Sequence, residues 1–272
     1  MTLEISVIEA DRARIKATWS SGDFSKIAES IETHAEDFVA RLRVKPGTLV
    51  LDLACGTGNI AVEVAKQHAI VSGLDIAPNL VAIARERAAS SGLPIEFEEG
   101  DVEMLPYPAA SFDMVVSMYG VMFAAHPDIA AAEMLRVCAS GGTIALANWT
   151  PTGFIGQMLK TIGAHVPPPP GSISPILWGT EAVVRERLGD ATSAIRCTPR
   201  KVVFEYPFSP AESVNLYLTY YGPTLRAYAN CSPEKQALLR RDLEKLWSDH
   251  NQATDGTTRV ISEYLEVIAI RA

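Results

Sequence analysis

A doubly wound α/β fold, with a mostly parallel sheet and a helical cover, is the architecture this sequence predicts. Three observations lead to it. Short, nearly continuous apolar runs alternate with helix-length amphipathic stretches from Thr48 to Trp149. The first apolar run closes in Cys55-Gly56-Thr57-Gly58, a turn with two residues free of side chains. After Trp149 the alternation stops, and helical patterns resume beyond the run Pro167-Pro168-Pro169-Pro170-Gly171.

Each element has its own signal. Ile27, Ile31, Ala35, Phe38 and Leu42 recur at helical spacing and predict one amphipathic helix over residues 22–43. Thr48 to Ala54 is apolar on both alternations, the mark of a strand buried on two faces. A helix follows to about Gln67, then a strand from Ala69 to Ile76. Pro78 opens the next helix, with Leu80, Ile83 and Ala84 facing inward and Gly92 ending it. Ile95–Glu98 and Phe112–Tyr119 are predicted strands three and four. Pro127–Ala139 is a helix with Asp128 in its first turn and Gly141-Gly142 beyond it, and Gly142–Trp149 is strand five. Arg200–Phe208 predicts a sixth strand, residues 210–250 helices (the clearest opening at Ser232-Pro233-Glu234), and Tyr264–Ile270 a seventh strand. The expected division is N-terminal helices over 1–46, a ligand-binding core over 47–150, a helical cover carrying strand six over 151–262, and the last core strand over 263–272.

Composition narrows the function classes. Of the 272 residues, 48% are hydrophobic and 21% charged, and the net charge is −8. A surface of that sign repels phosphate backbones, so nucleic acid is disfavoured as a partner and a small-molecule substrate is expected. Cys55, Cys138, Cys197 and Cys231 are scattered, which suits a reducing, cytoplasmic setting. The histidines form no close pair, so no metal site is expected. No apolar run approaches the ~20 residues that span a bilayer, and no membrane span is expected.

In an open α/β sheet, ligands bind where strand ends meet helix starts. Gly56 and Gly58 there let a ligand approach the backbone and the helix N–H groups. Asp75 closes the second strand, where its carboxylate can accept two hydrogen bonds from a ribose diol. Gly56-x-Gly58-x-x-Ala61 also satisfies the loose dinucleotide fingerprint, which leaves any adenosine-containing ligand open. Asp52 sits inside the apolar strand, where a charge lacks a packing reason, and Asp101 follows strand three in Gly100-Asp101-Val102.

With Val50-Leu-Asp-Leu-Ala-Cys-Gly-Thr-Gly58, Gly73-Leu-Asp75, Glu99-Gly-Asp101 and Arg136-Val-Cys-Ala-Ser-Gly-Gly142-Thr together, the chain resembles the class I S-adenosylmethionine-dependent methyltransferases. It is most similar to the small-molecule group related to ubiquinone/menaquinone methyltransferases. The resemblance extends to Trp178-Gly179 and Tyr264-Leu265-Glu266-Val267. It implies a Rossmann-like seven-stranded sheet whose last strand is antiparallel and lies between strands five and six. It also implies S-adenosylmethionine as cofactor: Gly56 and Gly58 around its methionine part, Asp52 toward the amino group, Asp75 on the ribose, Ile76 beside the adenine, and Asp101 with Val102 at the adenine edge. Met118 would lie beside the methionine portion, and Trp19 resembles an N-terminal residue that closes over the cofactor. Ala54 stands where the family usually has its first glycine, as in related quinone enzymes.

Met122, Phe123, Trp149, Phe154, Trp178, Tyr220 and Tyr221 fall near strand ends or in the cover and are the candidates for a pocket holding an apolar or aromatic acceptor. Each also suits an ordinary core position. His126 is the candidate general base, against a surface residue ahead of a helix. Cys55 fills space in the turn. The rivals are a nicotinamide-dependent oxidoreductase, weakened by Asp52, Asp101 and the lack of a Tyr-x-x-x-Lys pair, and a non-catalytic scaffold that keeps the sheet. Ser117-Met118-Tyr119-Gly120 takes the place of the motif that amine-directed nucleic-acid enzymes carry after strand four.

Overall fold

The computed structural model describes residues 2–272, with side chains from Val7 onward; Met1, the first residue of the expected N-terminal helical region, lies outside the described residues. A helix α1 (Thr2–Trp19) leads into a short helix α2 (Ser25–Ala28), a 3-10 turn (Glu29–Ile31) and α3 (Glu32–Leu42). The single helix expected over 22–43 is therefore broken. Ile31 leaves helical geometry (φ −119°, ψ 11°), and the carbonyl of Ala28 is taken by the side-chain amide of Asn59 at 3.0 Å. Phe38, Ala35 and Val39 bury the inner stripe of α3, which packs on the helix after the first strand.

The core alternates as expected: β1 (Leu49–Leu53), α4 (Asn59–Ala65), β2 (Ile70–Asp75), α5 (Pro78–Ser90), β3 (Glu96–Glu99), β4 (Phe112–Met118), α6 (Pro127–Val137) and β5 (Cys138–Trp149). The cover and the sheet's far edge follow as α7 (Phe154–His165), α8 (Glu181–Leu188), β6 (Thr192–Tyr206), α9 (Pro210–Tyr220), α10 (Gly222–Ala229), α11 (Pro233–His250) and β7 (Thr258–Arg271). One seven-stranded sheet results, in the order β3-β2-β1-β4-β5-β7-β6. Strands β1 to β5 pair in parallel, and β7 runs antiparallel between β5 and β6. That is the Rossmann-like arrangement with the expected last strand.

The central strands explain their own order. Val50, Leu51 and Leu53 of β1 and Val115 and Val116 of β4 are fully buried, as suits strands covered on both faces. Three boundaries depart from expectation. Strand β5 begins at Cys138 because Cys138 pairs with Phe112 before a register shift at Met114, and Gly141 (φ +75°) absorbs the bulge. Strands β6 and β7 pair over their whole lengths, from Thr192↔Arg271 to Tyr206↔Thr258, while β5 pairs with β7 only from Thr143 to Trp149. The ends of β6 and β7 thus project past β5, toward the cover built by α7, α9 and α11. The first half of β6 is an exposed edge carrying Pro199, and the buried face of residues 258–263 is Thr258, Val260 and Ser262, two of them polar, so neither reads as core strand. No helix among the described residues is long and apolar enough to cross a membrane.

Candidate cofactor and acceptor site

The site begins where β1 ends. Ala54, Gly56 and Gly58 all take left-handed backbone (φ +51°, +54° and +81°), so three of five residues turn the chain back on itself. The tip is tied to its neighbours. The Ser117 hydroxyl donates to the Leu53 carbonyl at 2.7 Å and accepts from the Val121 N–H at 3.0 Å, and the Cys55 N–H donates to the Leu74 carbonyl at 3.1 Å. Ala54 leans against Gly120, where an added Cβ would stand 2.6 Å from both the Ala54 Cβ and its carbonyl oxygen.

Two carboxylates are fixed inside this turn. Asp75 accepts from the Gly56 N–H at 2.8 Å and from the Ala77 N–H at 2.9 Å, one on each oxygen. Asp52 accepts from the Ala61 N–H at 3.0 Å. Both residues are buried, 5% and 1% exposed, and burial pushes both carboxyls above the usual carboxylate range; the nearby Asp75 charge raises Asp52 further. An ionised carboxylate offers about four acceptor positions, so each retains capacity toward a ligand. Asp101, after β3, accepts from the Glu103 N–H at 2.9 Å and is paired with the guanidinium of Arg12 on α1. Lys16, one turn further along α1, pairs with Glu99.

These groups open onto one cavity of about 970 Å³, counted to its open mouth. Asp52, Ala54, Gly56, Asp75, Ile76, Asp101, Val102, Met118 and Trp19 all line it. Gly58 does not. Its face turns to Phe97 and Ala84, where an added Cβ would meet the Phe97 ring at 3.1 Å, so its bareness serves helix–strand packing. His126 does not line it either. The Glu103 carboxylate accepts the His126 N–H at 2.7 Å and meets its Nδ1 at 2.8 Å, while Asp11 stands 3.7 Å from Nε2. At the start of α6, both ring nitrogens of His126 are thus turned to carboxylates and away from the cavity lining.

A second, aromatic cavity of about 360 Å³ adjoins the first. Trp19, Phe24, Ile31, Tyr119 and Phe123 border both. Trp19 meets Phe123 edge-on at 4.9 Å between ring centres, and Phe24 at 5.7 Å. Trp149 stacks on Tyr119 at 3.7 Å, and Phe204, Tyr217 and Tyr221 close the far side. Of the acceptor-pocket candidates, Phe123, Trp149 and Tyr221 line this space. Met122, Phe154, Trp178 and Tyr220 do not. Met122 is buried in the 3-10 turn after β4, and Phe154 packs edge-on against Trp247 at 4.6 Å. Trp178 lies under the Arg187 guanidinium at 4.6 Å, and Tyr220 is half-buried at the end of α9.

Sequence reasoning passed over Arg12, Ile15, Phe24, Asn59, Leu80 and Glu103, all of which line the first cavity. Arg12, Ile15 and Trp19 stand at helical i, i+3, i+7 spacing, a stripe that was available to find. Asn59, buried behind the glycine turn, accepts from Thr57 at 3.0 Å and from Arg87 at 2.6 Å. Among the described residues no cluster suited to a metal ion occurs.

The model of a methyltransferase domain matches residues 50–142. The uncharacterized protein Rv1405c of Mycobacterium tuberculosis is 38% identical over 233 residues, covering 85% of this chain and 84% of its own. A demethylmenaquinone methyltransferase of Deinococcus radiodurans is 40% identical over 129 residues, covering 46% of this chain and 53% of its own. Among solved structures, the YcgJ protein of Bacillus subtilis shares the fold with a TM-score of 0.62 at 16% identity, covering 88% of this chain and 98% of that one.

Proposed function

The chain belongs to the class I S-adenosylmethionine-dependent methyltransferases, and from that premise we propose that it methylates a small, apolar or aromatic acceptor held in the aromatic cavity beside the strand tips. The adjacency of the two cavities carries this reading: a polar cradle with Asp75 and Asp101 at its rim opens beside a compartment walled by aromatic rings. S-adenosylmethionine, when bound, would supply an electrophilic sulfonium methyl.

The rest is the work of the chain. Asp75, anchored by two backbone N–H groups, would hold a ribose diol with its remaining lone pairs. Asp101 and Val102 would meet the adenine edge, with Ile76 and Leu80 as its apolar flanks. Asp52 and the bare backbone at Gly56 would face the amino-acid end, next to Met118. Trp19, Phe24 and Phe123 exclude water from the junction, which favours an in-line approach of acceptor to methyl. Catalysis of this kind asks chiefly for alignment and a dry boundary. The acidic surface speaks against a nucleic-acid acceptor, and four free cysteines suit a reducing cytoplasm.

Calorimetric titration with S-adenosylhomocysteine and, separately, with NADH tests the cofactor. Binding of the first alone is expected; binding of NADH alone would overturn the reading in favour of an oxidoreductase. Turnover against phenols, quinols, amines and thiols tests the acceptor class, and methylation confined to a charged hydrophilic compound would overturn it.

A further inference from the structure

The aromatic cavity is built almost entirely from rings. Eight of the twelve residues that line it are aromatic, and the other four are three isoleucines and a methionine. The rings do not lie in one stack. Phe24, Phe123 and Tyr221 stand at 85°, 69° and 78° to the plane of Trp19, with ring centres 5.7, 4.9 and 5.9 Å from it. Walls that meet so steeply make a box rather than a slot, the arrangement in which aromatic groups gather round a cation.

Among the described residues of this lining there is no carboxylate, imidazole, ammonium or thiol. Its titratable groups are the phenols of Tyr119, Tyr217 and Tyr221, and burial, the largest cause for each, pushes all three above the usual phenol range. Each stays protonated and cannot serve as a base. Asp52 and Asp75 line only the other cavity.

The phenols also report what this space does to an occupant. A hydroxyl or thiol acceptor must lose a proton to become a strong nucleophile, and the same desolvation holds that proton in place. An amine responds with the opposite sign. Its charged form is the protonated one, so an apolar wall strips the proton and leaves the lone pair free. Methylation of that lone pair needs no base. The new C–N bond forms as the methyl–sulfur bond breaks, the electron pair returns to sulfur, and the positive charge passes from sulfur to nitrogen. A nitrogen that still bears hydrogen gives a proton to water after release. Aromatic rings favour the charge at either end of the transfer.

We propose that the methyl acceptor is an apolar amine, taken into the aromatic box with its nitrogen uncharged and methylated on that nitrogen. The proposal rests on reading the aromatic cavity as the acceptor site.

Two matched pairs of naphthyl compounds test it on the full chain. The first pair, trimethyl(2-naphthyl)ammonium and 2-tert-butylnaphthalene, differs in N+ against C. Binding is followed by quenching of tryptophan fluorescence, with S-adenosylhomocysteine titrated in parallel. Wild type is expected to prefer the ammonium about three- to tenfold. Phe204→Leu, which removes one ring from the far side, should shrink that preference roughly twofold or more and leave affinity for the carbon compound within about threefold. The second pair, 2-naphthylamine and 2-naphthol, compares acceptors near neutral pH, and the amine is expected to be methylated about tenfold faster. Equal binding of the first pair overturns the proposal, as does a preference that Phe204→Leu leaves intact or a naphthol methylated as fast as the amine. If neither acceptor reacts, the binding comparison decides alone. Failure of both members of the first pair to bind sinks the acceptor-cavity reading itself, and failure of S-adenosylhomocysteine to bind is read separately as failure of the cofactor reading.

Discussion

The Asp75 carboxylate reaches across from β2 to take the Gly56 N–H at 2.8 Å, so the tip of the second strand is buttoned to the turn that ends the first. The same carboxylate is the proposed ribose contact, which makes one side chain responsible for the shape of the turn and for its ligand. Asp75→Ala is expected to weaken S-adenosylhomocysteine binding at least tenfold, since hydrogen bonds to a charged group are worth about 1.5–3 kcal/mol. Isothermal calorimetry measures it; unchanged affinity would remove Asp75 from the cofactor site.

Asp52 tests the cost of burying charge. Its folded pKa is raised above the ordinary 3.8, so the folded chain binds the proton more readily than the unfolded chain does. The penalty is therefore absent below that ordinary value, grows as pH rises toward the raised folded value, and is complete above it. Asp52→Asn keeps an oxygen for the Ala61 N–H and removes the charge. The ligand-free variant should melt several degrees higher near neutral pH, at about 2–4 °C per kcal/mol, and its advantage should shrink toward pH 4. Melting curves across pH 4 to 8 decide it, and a variant that melts lower throughout contradicts the sign.

The N-terminal helix is held over the first cavity by Arg12–Asp101 and Lys16–Glu99. Both pairs are partly exposed and open to screening by salt. Arg12→Ala should raise the dissociation rate of S-adenosylhomocysteine roughly 3- to 10-fold at low ionic strength, with the difference from wild type narrowing at high salt. Stopped-flow displacement at two salt concentrations gives the answer.

Gly58 lies outside the cavity lining, yet it is not free to change. At φ +81°, with the Phe97 ring 3.1 Å from an added Cβ, Gly58→Ala meets both backbone strain and a clash. A loss of about 1–3 kcal/mol is expected in urea unfolding. S-adenosylhomocysteine affinity per folded molecule should stay within about threefold, a split that separates packing from contact.

Glu266 on β7 is 2% exposed and receives Arg41 at 2.7 Å and Arg200 at 3.1 Å. Breaking a fully buried pair costs about 3–5 kcal/mol, but both guanidiniums are about one-third exposed, 32% and 39%, so solvent shares the charge. Glu266→Gln should therefore cost nearer 1–2 kcal/mol. Chemical denaturation of Glu266→Gln beside Glu266→Asp, which keeps the charge, checks the value.

The fold was legible where periodicity was unambiguous. Strands buried on both faces, such as β1 and β4, announce themselves as apolar runs, and Pro78 and Pro127 mark helix starts. The break at Ile31 was hidden because α2 and α3 share one apolar stripe; only the contact of Asn59 with the Ala28 carbonyl interrupts it. The first half of β6 was hidden because it is an exposed edge, and residues 258–263 because β5 does not reach them and two of their three buried side chains, Thr258 and Ser262, are polar. Within the site, the turn and its acids could be read from spacing, since a glycine turn confines its neighbours. The aromatic wall could not be: Trp149 and Phe154 look alike in sequence, and only the direction each ring takes from its backbone puts one on the cavity and the other on Trp247. Glu103 escaped notice because its partner is a histidine 23 residues away.

Trp19, Phe24 and Phe123 face two compartments at once. A party wall of this kind cannot be moved for one room alone: trimming Phe123 to admit a bulkier acceptor also loosens the grip on the neighbouring ligand. Ile155, Met158 and Phe204 border only the far room, so on the proposed reading drift in them retunes which molecules are accepted while the cofactor side stays undisturbed.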